Sequence, residues 1–142
     1  MRGEMDRLQE AAARRLSGLG EFAVADIVRE GYAPNGGKAC GVKITVRIPM
    51  PEAASKYAAG PAFSKVAMQV VIERDDMAAR HSPSAATLAE GVTRALHGWT
   101  APLECGYGKV AIAESEPWQR IETPRKAVSA IAVNFKAQSV LE

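Results

Sequence analysis

Period-two alternation dominates the middle of the chain. In Lys65–Glu73, Val66, Met68, Val70 and Ile72 fall on one side and Lys65, Gln69 and Glu73 on the other, the pattern of a half-buried strand. After the polar run Arg74 to His81, Ser82 is placed to cap a helix N-terminus, and Pro83 suits the first helical position because it has no N–H to lose. Ala85, Leu88, Ala89, Val92, Ala95, Leu96 and Trp99 then recur at three- and four-residue spacing, with Glu90, Thr93, Arg94 and His97 off that line. This predicts a helix with one apolar stripe. Gly98 supplies the left-handed residue that ends it, and Arg94 and His97 sit where the helix dipole favours positive charge.

The flanking segments repeat this pattern. Met5, Leu8, Ala12 and Leu16 line one face of a first helix, with Asp6, Arg7, Glu10, Arg14 and Arg15 on the other, and Ser17-Gly18-Leu19-Gly20 stops it. Phe22 to Val28 is apolar on both faces and reads as a strand in the sheet interior, with a short buried helix as the alternative. Pro34-Asn35-Gly36-Gly37 forces a turn. Val42, Ile44, Val46 and Ile48 alternate with Lys43, Thr45 and Arg47 in a second strand, which Pro49-Met50-Pro51 ends. Pro51 to Pro61 is a long connection whose Lys56 and Tyr57, with the adjoining Phe63, form a candidate contact surface, although Tyr57 can equally fold back onto the sheet. Lys109–Glu114 reads as a shorter strand and Val128–Ala137 as the last, with Ile131, Val133 and Phe135 on one face. The expectation is an α+β fold: one domain over residues 1–142, a mainly antiparallel sheet of about five strands, and two helices packed on one face.

Small residues gather on the opposite strand faces, at Ala67, Val71, Ala111, Ala113, Ala130 and Ala132. Alanine is a weak strand former, so either alanine-rich coding or a sheet face approached by another subunit accounts for them.

Composition narrows the function classes. At 24% charged, 47% hydrophobic and a formal charge of +2, the chain is ordinarily globular, with too little charge to argue for a nucleic-acid or membrane partner. The basic pairs Arg14-Arg15 and Arg125-Lys126 are short and offset by nearby acids, which makes specific nucleic-acid binding a poor second reading. The mixed-charge start and the lack of a long apolar run point to a cytoplasmic chain without a membrane span. Cys40 and Cys105 lie far apart without a partner motif and read as two reduced thiols.

Chemistry is sparse. The histidines are His81 at the helix entry and His97 at its exit, neither in a nucleophile–base motif. Glu114 and Glu116, two apart on the expected strand, share a face and raise acid–base work or a hard-cation site, against the commoner reading as surface carboxylates. Asp75 and Asp76 beside Arg74 read as a charged strand end, and Gly36-Gly37 lacks a dinucleotide-site context. The expectation is no catalytic residue, no metal and no cofactor.

The order of elements, with GPAFSKVAMQVVIERD before SPSAATLAEGVTRALHGW, and VAIAESEPWQRIE before a closing strand, resembles the tail-terminator and tail-completion proteins of long-tailed bacteriophages. The resemblance covers most of the chain and rests on texture, especially Leu96-His97-Gly98-Trp99 followed by a strand with a Pro-Trp break. It implies a non-enzymatic α+β subunit that closes into a ring, commonly a hexamer, on the tail tube. Such a ring stops polymerisation and offers a surface to the head-completion or connector protein. It further implies host cytoplasm during assembly and the virion tail afterwards. Another neck or minor tail component is the alternative, and a small ligand-binding domain or enzyme the distant third. The family carries no catalytic motif to transfer. Candidate interface residues are Arg14, Arg15, Lys56, Tyr57, Glu114 and Glu116, with the first-helix arginines on one face and the acidic pair on another, as a head-to-tail subunit contact requires.

Overall fold

In a computed structural model the described residues are 4–22, 25–29, 41–48, 51–53, 63–102, 107–124 and 127–139. Helix α1 (Glu4–Ser17) is followed by a 3₁₀ turn at Gly20–Phe22 and strands β1 (Asp26–Arg29), β2 (Val42–Arg47), β3 (Pro51–Ala53) and β4 (Phe63–Asp75). Helix α2 (Ala85–Leu96), β5 (Tyr107–Ile112), β6 (Trp118–Ile121) and β7 (Val128–Ser139) complete the order. The strands join in one sheet, β1-β2-β4-β7-β5, with β3 on β4 and β6 on β7. Among the described residues only β1 with β2 is parallel; the other pairings are antiparallel.

Register lines the apolar positions into rows. Ile44, Ile72 and Ile131 lie side by side across β2, β4 and β7, and so do Val46, Val70 and Val133. Both helices cover these rows. Leu8, Ala12 and Leu16 of α1, and Leu88, Ala89, Val92 and Leu96 of α2, join them in one buried cluster. Each leucine, isoleucine or valine among them contributes on the order of 1.5–3 kcal/mol when fully buried. The expected α+β class, the two helices on one face and all five expected strands are therefore present. Two short edge strands are added. β3 occupies the start of what reads as loop, since proline is tolerated as the first residue of an edge strand. β6 carries no alternation of burial to betray it.

Two boundaries differ from the sequence reading. Phe22 closes the 3₁₀ turn, 1% exposed, and β1 begins only at Asp26 and sits at the sheet's edge rather than its interior. Ser84, not Ser82, caps α2: its backbone is extended and its hydroxyl accepts the Thr87 N–H at 3.2 Å. Ser82 is consumed by the preceding turn, donating its N–H to Ala79 O at 2.8 Å and accepting from Arg74. Gly98, at φ +82°, does end the helix.

The turn between β4 and α2 is organised by Arg74, whose guanidinium donates to the carbonyls of Pro83 (2.9 Å), Ala79 (2.7 Å) and Ser82 (3.1 Å) and pairs with Asp76. Asp76 in turn accepts the Ser129 hydroxyl of β7 at 2.6 Å, so the clasp ties the helix entry to two neighbouring strands. Asp75 Oδ1 accepts the N–H groups of Met77 and Ala78, both at 3.1 Å, and its own N–H reaches Gly41 O at 2.8 Å. Gly41 has φ +79°, and a Cβ there would lie 2.9 Å from the Ala78 Cβ.

Two outcomes follow from this turn. Gly41→Ala lowers unfolding free energy by at least ~1 kcal/mol in urea titration, from the positive φ alone. The Ser129 hydroxyl first, and the Arg74 guanidinium second, hold the Asp76 carboxyl below its ordinary 3.8. A depressed folded pKa stabilises the fold above that unfolded value and ceases to do so as pH falls through the folded one. Asp76→Asn therefore flattens the acid limb of a stability-versus-pH curve and leaves its slope near neutrality unchanged.

Candidate assembly surfaces

Two surfaces stand out, one on each side of the sheet. On the helix side, the outward face of α1 carries Arg7, Glu10, Ala11, Arg14 and Arg15, and Trp99, Thr100 and Pro102 face it across a groove of about 410 Å³. The second wall exists because Gly98 reverses the chain after α2 and the segment then runs along the outer edge of β5. Gly98 N–H donates to Val110 O at 2.7 Å, Val110 N–H to Trp99 O at 2.8 Å, and Ala101 N–H to Gly108 O at 3.1 Å. Arg15 Nε donates to Ala95 O at 3.2 Å, satisfying a carbonyl in the last turn of α2 where the helix dipole favours a cation. Arg14 is 78% exposed and lies 3.7 Å from Glu10 one turn away, an exposed pair worth little.

Glu114 and Glu116 are not on a strand. β5 ends at Ile112, and both glutamates are exposed in the 113–117 connection to β6. Strand parity therefore does not apply to them; among the described residues their carboxylates have no hydrogen-bond or ion-pair partner. The backbone of this turn is well tethered. Ala113 N–H donates to Asn134 O at 2.8 Å, Asn134 N–H to Pro117 O at 2.8 Å, and Asn134 Nδ2 to Glu116 O at 2.9 Å.

Within one subunit the arginines and glutamates stand on opposite flanks of α2. α1 meets α2 at Ala95, whereas the β5–β6 side meets it at Thr93 and His97: Trp118 Nε1 donates to Thr93 Oγ1 at 3.0 Å, and Ile112 N–H to His97 Nδ1 at 2.9 Å. Positions 93 and 95 point about 200° apart around a helix. His97, expected simply as a cation near the helix C-terminus, is a backbone acceptor that joins α2 to β5. His81 is exposed in the turn before α2. The expected contact residues Lys56 and Tyr57, and also Cys40, Cys105, Gly36, Gly37, Arg125 and Lys126, lie outside the described residues. Among the described residues no group of three or more His, Cys, Asp or Glu is placed to hold a metal, and no helix is long and apolar enough to cross a membrane.

The other side of the sheet carries a polar row that periodicity alone did not reveal. Arg47, Gln69 and Asn134 are cross-strand neighbours on β2, β4 and β7. Arg47 Nε donates to Gln69 Oε1 at 2.6 Å, and Gln69 Nε2 to Asn134 Oδ1 at 2.9 Å. Gln69 is 8% exposed, so this row is an internal feature of the subunit rather than a solvated stripe. Beside it, Val71, Glu73, Ala130, Ile121 and Pro124 help to line a depression of about 380 Å³. Of the small residues on this face, Ala130 (2%) and Ala132 (0%) are already buried within the subunit, whereas Ala67 is exposed.

The same fold occurs in solved structures. A chain from the virion of a native gene transfer agent particle aligns over 93% of both chains at a TM-score of 0.63 and 16% identity. A second solved chain aligns over 94% of both at 0.58 and 15%. No protein-family model and no curated protein matches the sequence. At these identities the likeness is one of fold, and it spans nearly the whole of each chain.

Gln69 is the most exacting residue of the open face. Gln69→Leu keeps the volume but leaves Arg47 Nε and Asn134 Oδ1 without their partner, and it is expected to cost ~1–3 kcal/mol, measured as a lower urea midpoint at unchanged m-value.

Proposed function

We propose that this chain is a structural protein of a phage-like virion, and more narrowly the subunit of a ring that ends growth of the tail tube. The observation that carries the reading is the fold likeness over 93% of both chains to a chain of the gene transfer agent virion. The element order that resembles the tail-terminator family supports the narrower role. So does the distribution of charge, with a basic groove and an acidic turn on different flanks of one subunit, the arrangement that a rotationally closed, head-to-tail contact uses.

In this role the partners are copies of the chain itself, the tail-tube protein on one face of the ring and the head-completion protein on the other. The subunit is made in the host cytoplasm and ends in the virion tail, and it performs no reaction. Its task is to present fixed surfaces, for which a sheet stiffened by two helices is well suited.

The test is mass in solution followed by a capping assay. Light scattering of the purified chain is expected to give six times the 15.1 kDa subunit mass, and addition of the ring to polymerising tube protein is expected to shorten the tubes seen by electron microscopy. A chain that stays monomeric and leaves tube length unchanged overturns the proposal.

A further inference from the structure

We infer that the groove between α1 and the Trp99–Pro102 segment receives the 113–117 turn of a second copy of this chain, with Glu114 and Glu116 pairing Arg14 and Arg15 of the neighbour. The inference rests on the virion-ring reading and deepens it by naming the two halves of the subunit contact.

Charge complementarity identifies the occupant. Arg7, Arg14 and Arg15 against Glu10 leave the groove net positive. Arg15 spends its Nε on Ala95 O, and among the described residues no other bond engages its terminal nitrogens. Arg14 projects into solvent. The 113–117 turn offers two carboxylates that no group among the described residues engages, on a backbone held by three hydrogen bonds to Asn134. Because that backbone is already ordered, docking loses little conformational entropy. Pro117, exposed at the end of the turn, gives the Trp99 indole an apolar surface to cover.

Geometry explains why the contact is made between copies and not within one. The groove lies on the Ala95 flank of α2 and the turn on the Thr93–His97 flank, so a subunit cannot fill its own groove. Donor and acceptor on opposite flanks make a heterologous contact, which propagates in one rotational sense and closes when the angle permits. The row Arg47–Gln69–Asn134 thereby acquires a role at a distance: Asn134 ends it by fixing the backbone of the docking turn.

The test uses charge reversal on both halves, read by light scattering and native mass spectrometry. Glu114→Arg with Glu116→Arg removes no side-chain interaction among the described residues, so it leaves thermal unfolding unchanged while raising the apparent dissociation constant of the assembly roughly tenfold or more. Arg14→Glu with Arg15→Glu has the same effect on assembly. Combining the four reversals in one chain restores the wild-type mass. If the glutamate reversal leaves the mass of the assembly intact, or if only the arginine reversal weakens it, the groove takes another occupant and this contact falls while the ring reading stands. A wild-type chain that is monomeric at every concentration removes both.

Discussion

The two helices this chain supplies cover one face of the sheet, and the rest of the structure is arranged around that asymmetry. The rows Ile44–Ile72–Ile131 and Val46–Val70–Val133 need apolar cover along their whole width, and α1 and α2 together provide it. Neither helix is long enough to do so alone. Removing such rows from water is the dominant favourable term, so helix placement is set by the sheet. The Arg74 clasp then fixes how the chain leaves β4 and enters α2 through four directed polar contacts of a side chain only 11% exposed.

Once the helices occupy one side, the other side and the sheet margins need different solutions. The opposite face uses a polar row whose members satisfy one another, because a buried amide such as Gln69 is costly without partners. The outer edge of β5 is covered by the extended segment after Gly98, which removes a strand edge that would otherwise pair indiscriminately with other chains. At that margin an assembly built from this subunit has reason to use side-chain surfaces rather than edge-to-edge strand addition. In the proposed ring, the groove on one flank of α2 and the acidic turn on the other are such surfaces, and individually weak ion pairs gain strength by repetition.

Much of this was legible from residue order. The spacing of Leu8, Ala12 and Leu16 placed α1, and the stripe from Ala85 to Leu96 placed α2. The alternations in 42–48, 65–73 and 128–137 each placed a strand with the correct side inward. These are local signals, because a periodic pattern reports directly which side of an element meets the core. The errors arose where local chemistry was ambiguous. Ser82, followed by Pro83, carries the cap signature in sequence, but Arg74, eight residues before it, engages its carbonyl and Ser84 caps the helix instead. Glu114 and Glu116 were assigned strand parity because nothing in their neighbourhood marked where β5 stops. β6 escaped notice because a short, exposed edge strand has no buried side to alternate with.

By itself, then, the sequence determined the class of fold, the two helices and the inward face of each long strand. All of these follow from periodicity and from which residue types are present. Only the tertiary structure decided that Arg47, Gln69 and Asn134 form one row, that His97 accepts a strand amide, and that the arginines and glutamates stand on opposite flanks of α2. Those facts depend on strand order and register, which join residues 22, 65 and 80 positions apart. No local pattern encodes such distances, because they are set by how the whole sheet packs beneath its helices.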